Sequence, residues 1–129
     1  MGKPGHTGIK RIILAAGFSY QGFKAAWKYE SAFRQEVFLT AVLLPVAIAL
    51  GRSALETALL ISTLFLVVIV ELLNSGIEAV VDRIGDEPHK LSGRAKDMGS
   101  AAVFLSLVLV FVVWTMIAIE RFFPDIIPF

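Results

Sequence analysis

The sequence predicts an all-α membrane protein in which an N-terminal amphipathic surface helix precedes three transmembrane helices, as one domain over residues 1–129. Three observations predict it. Hydrophobic residues make up 57% of the chain and its mean hydropathy is +0.76, so lipid rather than water is the expected solvent. The charge-free stretch from Met98 to Ile119 supplies the ~20 apolar residues that carry a helix across a ~30 Å hydrocarbon layer. Ahead of the apolar runs lies a segment whose hydrophobic residues recur with the period of a helix.

That first segment, residues 7–29, carries Ile9, Ile12, Ile13, Ala16, Tyr20, Phe23 and Trp27 within about 100° of arc, while Lys10, Arg11, Gln21, Lys24 and Lys28 take other angles. Such a helix lies in the membrane interface, with aromatic groups toward acyl chains and lysines toward headgroups. The competing reading is an amphipathic helix packed on protein. The second element, 31–50, has its apolar run from Val37 to Leu50. It reaches spanning length by starting near Ser31, with Arg34 and Glu36 at the interface and Pro45 tolerated within a bundle. The third element, 54–82, is apolar to Val70, and its helical pattern continues past Glu71 to about Asp82. The fourth, 98–119, is closed by Glu120, Arg121 and a proline-containing tail expected to rest at the interface.

A net charge of +1 without a basic block excludes nucleic-acid binding. The absence of cysteine excludes disulfides, thiolate metal sites and cysteine nucleophiles. Basic residues set the orientation, because Lys and Arg in short loops stay on the cytoplasmic side. Lys3, Lys10, Arg11, Lys24, Lys28 and Arg34 precede the first span, and Arg83, Lys90, Arg94 and Lys96 lie between the second and third; only Arg52 and Arg121 fall opposite. The N-terminus and the 83–97 loop are therefore expected in the cytoplasm.

The chemistry concentrates in the run Glu71 to Asp82. With Glu71 at zero, Asn74, Ser75, Glu78 and Asp82 fall near about −60°, +40°, −20° and +20°, on one face. An ionisable group at the centre of a membrane helix costs ~3 kcal/mol or more, so such groups face protein or water and are retained for function. The bland alternative is a hydrogen-bond stripe that holds an oligomer together. Two carboxylates with an amide between them suit a divalent cation better. Mg²⁺ takes one or two carboxylates and fills its remaining positions with phosphate oxygens and water, and Glu78, nearest the interface, can be one of them. Glu71 lies seven residues deeper, about 10 Å along the same face, where a lipid hydroxyl would sit and a desolvated carboxylate could act as general base.

These residues resemble a known family. Glu71-Leu72-Leu73-Asn74-Ser75-Gly76-Ile77-Glu78-Ala79-Val80-Val81-Asp82, followed by Leu91-Ser92-Gly93-Arg94-Ala95-Lys96-Asp97-Met98-Gly99-Ser100-Ala101-Ala102-Val103, is similar to the prokaryotic diacylglycerol kinases. The likeness extends upstream through Ala15-Ala16-Gly17-Phe18-Ser19, Ala25-Ala26-Trp27 and Glu30-Ser31-Ala32-Phe33-Arg34-Gln35-Glu36. It implies a homotrimeric bundle in the bacterial inner membrane that phosphorylates diacylglycerol to phosphatidic acid with ATP and Mg²⁺. It further implies Glu71 as catalytic base and Glu30 and Glu78 as metal ligands beside the nucleotide. Arg11, Phe18, Glu87, His89, Lys96 and Asp97 would complete the nucleotide site, with Asn74 a further polar site residue. Lipid contacts would come from Ala15, Ala16, Gly17, Phe18, Ser19 and Tyr20, from Lys24, Ala25, Ala26 and Trp27, from Ala32, Phe33, Arg34, Gln35 and Glu36, and from Glu71, Ser100 and Trp114. Phe18 stands where a tyrosine is common in the family.

Part of this has independent support. Glu30 falls on the apolar side of the first helix pattern, an odd place for a carboxylate unless it meets a cation, and Lys96 can serve as a point charge toward phosphate. Taken alone, Glu87, His89, Lys96 and Asp97 read as a solvated turn, and His89 has no second histidine nearby for a metal site. Neither a Walker-type G-x-x-x-x-G-K loop nor a kinase G-x-G-x-x-G loop is present. Undecaprenol kinase, of the same family, is the nearest rival function. A proton or cation pathway is the rival from another class, and the lack of an acid at the centre of the first or third span argues against it.

The orientation is directly checkable in this cysteine-free chain. Single cysteines at Ser53 and Lys90 are expected to label from opposite sides of inverted membrane vesicles, and labelling from one side would overturn the three-span arrangement.

Overall fold

The computed structural model describes residues 7–128, which form four helices: α1 (Gly8–Tyr29), α2 (Ser31–Leu50), α3 (Ala54–Ile84) and α4 (Lys90–Phe122). Lys3, one of the basic residues counted toward the cytoplasmic side, lies outside the described residues. Helices α2, α3 and α4 are each long and apolar enough to cross a membrane. At 31 and 33 residues, α3 and α4 reach about 46 and 50 Å. Both therefore outrun a ~30 Å hydrocarbon layer, and their polar ends project beyond it.

Helices α1 and α2 are separated by one non-helical residue. Glu30 has extended backbone (φ −115°, ψ 104°), closes α1 through its N–H to the Ala26 carbonyl, and precedes α2 as its N-cap. Arg34, one turn into α2, reaches back so that its Nη1 donates to the carbonyl oxygens of Trp27 at 2.7 Å and Lys28 at 3.4 Å. A guanidinium there satisfies carbonyls that the end of α1 leaves free and complements the negative end of its dipole. The elbow that presents Glu30 is thus held from both sides.

The α2–α3 turn is tied by a reciprocal cap. Ser53 Oγ accepts from the Glu56 N–H, and Glu56 Oε1 accepts from the Arg52 N–H, both at 3.1 Å. Gly51 is required by close approach, since a Cβ there would overlap Thr57 Oγ1. From the far end of α4, Arg121 Nη1 donates to the carbonyl oxygens of Ala49 and Leu50 at 2.6 and 2.7 Å, closing the C-terminus of α2. A small core of Ala47, Leu60 and Ile117 lies at this end, with Trp114 packed against it.

The last helix differs from the sequence expectation. It begins at Lys90 rather than near Met98, so the polar connection shrinks to the few residues between Ile84 and Lys90. The His89 ring starts it, its Nδ1 accepting from the Leu91 N–H at 3.0 Å. Lys96 and Asp97 therefore stand on a helix and not in a turn. Hydropathy locates the part of a helix that lies in lipid, whereas caps determine where the helix begins.

Helix α3 packs chiefly on α4 and then on α2, whereas α1 is joined mainly to α2. On α1 the apolar residues Ile9, Ile12 and Ile13 are exposed in the single chain, at 76%, 68% and 65%.

Candidate active site

The polar stripe of α3 grades from buried to exposed toward Ile84. Glu71 and Asn74 retain 4% and 8% exposure, Ser75 and Glu78 are half-buried, and Asp82 is open. Residues four apart on a helix face one another, and two such pairs bond here. Ser75 Oγ donates to Glu71 Oε1 at 3.4 Å, and Asn74 Nδ2 donates to Glu78 Oε1 at 3.3 Å. The opposite atom of the amide, Asn74 Oδ1, is buried with no partner. It lies against Gly99 of α4, where any Cβ would overlap it. A small residue at a helix crossing lets two backbones approach closely, and here the space admits a polar side chain.

Two cavities meet at this stripe. One, of about 680 Å³, opens between α1 and α3 and is lined by Ser19, Ala25, Ala26 and Tyr29 on one wall and Ser75, Glu78 and Asp82 on the other, with Glu30 at its edge. The second, of about 280 Å³, is an open pocket between α2, α3 and α4 and is lined by Ala32, Glu36, Glu71, Asn74 and Ser100. Glu30 and Glu78 line both. The elbow and the stripe thus place two carboxylates where the cavities join, with Glu71 inside the smaller one.

The remaining predicted residues are distributed around these spaces. Tyr20, Lys24, Trp27 and Phe33 line a groove of about 540 Å³ between α1, α2 and α3. Ala15, Ala16, Gly17 and Phe18 lie on α1 beside Ser19, and Phe18 is exposed at 52%. Arg11 stands exposed in the first turns of α1. Arg34 is engaged in closing α1, and Gln35 is exposed next to it. Glu87 and His89 are exposed in the α3–α4 connection, and Asp97 on α4. Lys96 pairs with Asp82, Nζ to Oδ1 at 2.7 Å. Trp114 is not gathered with Glu71; its Nε1 donates to Thr63 Oγ1 at 3.0 Å beside the core at the other end of α3.

Among the described residues no group of three or more His, Cys, Asp or Glu side chains converges as a metal cage. A pair of carboxylates still fits Mg²⁺, which takes most of its ligands from water and phosphate. Glu30 and Glu78 are such a pair, both lining the two cavities, whereas Asn74 Oδ1 is turned away from them against Gly99. Sequence reasoning missed the seat at Gly99 and the Asp82–Lys96 pair. The small-residue run Gly99-Ser100-Ala101-Ala102 was the available signal for the first.

Comparison with known proteins is consistent along the chain. The family model described as prokaryotic diacylglycerol kinase matches residues 17–118. The diacylglycerol kinase of Escherichia coli is 56% identical over 118 residues, covering 90% of this chain and 95% of the relative. That of Haemophilus influenzae is 52% identical over 108 residues, covering 84% and 92%. A Helicobacter pylori diacylglycerol kinase is 46% identical over 114 residues, covering 88% and 86%.

The seat at Gly99 generates a prediction. Gly99→Ala should push Asn74 off Glu78 and lower kinase activity about ten- to 150-fold, the equivalent of one lost hydrogen bond to a charged group. In an Asn74→Ala background the same change should do much less, with a coupling above ~0.5 kcal/mol in a double-mutant cycle. Fully additive losses would mean that Gly99 acts on something other than Asn74.

Proposed function

The chain belongs to the prokaryotic diacylglycerol kinase family and is a membrane enzyme of that class; on that premise we propose that it transfers the γ-phosphoryl group of ATP to the free hydroxyl of diacylglycerol, giving phosphatidic acid at the cytoplasmic face of a bacterial inner membrane. The observation that carries this reading is the junction of two cavities at Glu30 and Glu78, with a buried carboxylate, Glu71, in the smaller one. Transfer from a water-soluble nucleotide to a lipid alcohol suits such a division, since the donor's phosphates arrive from water and the acceptor's hydroxyl from the bilayer.

Glu30 and Glu78 would hold Mg²⁺, which when bound neutralises phosphate charge and orients the γ-phosphate. Glu71 accepts the proton of the lipid hydroxyl as its oxygen bonds to the γ-phosphorus and the bond to the β-phosphate oxygen breaks, releasing ADP. Asn74 holds Glu78 in place through its amide N–H. Lys96 offers its ammonium to the phosphates, and Arg11, Phe18, Glu87, His89 and Asp97 belong to the nucleotide's surroundings. The diacylglycerol lies against α1 and the start of α2, with Ser100 beside the acceptor. The apolar face of α1 rests on the membrane surface, and three copies assemble as a homotrimer. Support for assembly comes from the stripe itself, which three spans of one chain leave partly open at Glu78.

Side-by-side measurement of ATP-dependent phosphorylation of diacylglycerol and undecaprenol tests the reading, since a preference for the polyprenol would reassign the substrate and no transfer to either would favour ion conduction. Glu78→Gln should abolish metal-dependent ATP binding while assembly in detergent persists; unchanged Mg-ATP affinity would remove Glu78 from the metal site. Glu71→Gln keeps size and hydrogen bonding but not basicity, so kcat should fall by about 10²–10⁴-fold with little change in Mg-ATP binding. Near-normal kcat with lost ATP affinity would make Glu71 a ligand or structural group.

A further inference from the structure

Asp82 poses an electrostatic problem that the reaction does not explain. It lines the larger cavity one helical turn beyond Glu78 and adds a third carboxylate to a lining that already includes Glu30 and Glu78. An unneutralised acid there would repel a nucleotide's phosphates. Its partner is Lys96 on α4, whose Nζ lies 2.7 Å from Asp82 Oδ1 and bridges the last turns of α3 to the first turns of α4.

Magnitudes decide what the pair is for. Its side chains are 64% (Asp82) and 44% (Lys96) exposed, and exposed ion pairs contribute little to stability, with a median near ~0–1 kcal/mol. Orientation is another matter. A lysine side chain carries ~2 kcal/mol of rotamer entropy, and whatever a bound phosphate would have to order, Asp82 has ordered beforehand. The ammonium has three donors, so one can remain on Asp82 while the others face the cavity edge.

We propose that Asp82 is a positioning residue for the nucleotide, holding the Lys96 ammonium at the mouth of the cavity that Glu30 and Glu78 line. The proposal rests on the reading of Lys96 as a phosphate contact. Asp82 touches neither substrate itself; it acts through Lys96 and cancels its own charge in doing so.

The test measures KM for Mg-ATP, kcat and thermal unfolding in detergent for Asp82→Asn, Asp82→Glu, Lys96→Met and the Asp82→Asn/Lys96→Met double variant. Asp82→Asn should raise KM about three- to fivefold, the upper range of what an exposed ion pair can supply. Its kcat should stay within about twofold and its unfolding temperature should not move, as expected for an exposed pair. Asp82→Glu, which keeps the charge, should recover most of the affinity, and in the Lys96→Met background Asp82→Asn should raise KM no further. An unchanged or lowered KM in Asp82→Asn, with KM raised in Lys96→Met, would overturn the positioning role and leave the nucleotide reading of Lys96 standing. Unchanged KM in Lys96→Met would sink both. An Asp82→Asn effect that persists undiminished without Lys96, or that comes with a fall in unfolding temperature and is not rescued by Asp82→Glu, would make Asp82 a structural or direct contact instead.

Discussion

A carboxylate and an amide held on the face of a membrane helix constrain everything around them. Glu71 and Asn74 are almost fully covered, and an ionisable group at this depth costs ~3 kcal/mol or more unless protein or water receives it. The cover comes from α4, which approaches closely enough at Gly99 to touch the amide, and from α2, which brings Ala32 and Glu36 to the same small cavity. The arrangement of spans follows from that need, because lipid-facing sides of α2, α3 and α4 have no comparable demand on their neighbours. Large apolar residues such as Phe104 and Phe111 accordingly remain exposed.

The ends of the helices are where sequence and structure part company. The order of elements, the start of α2 at Ser31 and the clustering of polar groups on one face of α3 were legible, since hydropathy and a 3.6-residue period are local properties of the chain. The beginning of α4 was not. Its first two turns are polar, Ser92, Arg94, Lys96 and Asp97 among them, and polar residues in a short segment read equally well as a turn. What starts the helix there is the cap at His89, and Lys96 then meets a residue fourteen positions earlier. Neither leaves a periodic trace.

The same distinction separates the two kinds of site residue. Glu71, Asn74 and Glu78 could be placed together from spacing because one helix carries all three. Glu30 joins them only through a one-residue break, which depends on Arg34 folding back onto the carbonyls of Trp27 and Lys28. The Arg34 guanidinium fixes this elbow. Trp114 sits with Thr63, far along α3 from Glu71. A resemblance can name such residues, but their common location depends on tertiary contacts that spacing does not encode.

Seven residues between Glu71 and Glu78 amount to about two turns, so both stand on one face with Asn74 between them. The amide bonds to the outer carboxylate and the serine to the inner one, which keeps the two acids on separate partners. On the proposed reading that separation matters chemically. A carboxylate that shares its electrons with a cation is a weaker proton acceptor, and a base exposed to the larger cavity would exchange its proton with water before any alcohol arrived. Placing the metal-facing acid at the junction and the proton acceptor behind it lets one helix serve both purposes. On that reading the depth of Glu71, which makes the position expensive in lipid, also reserves it for a hydroxyl anchored by acyl chains.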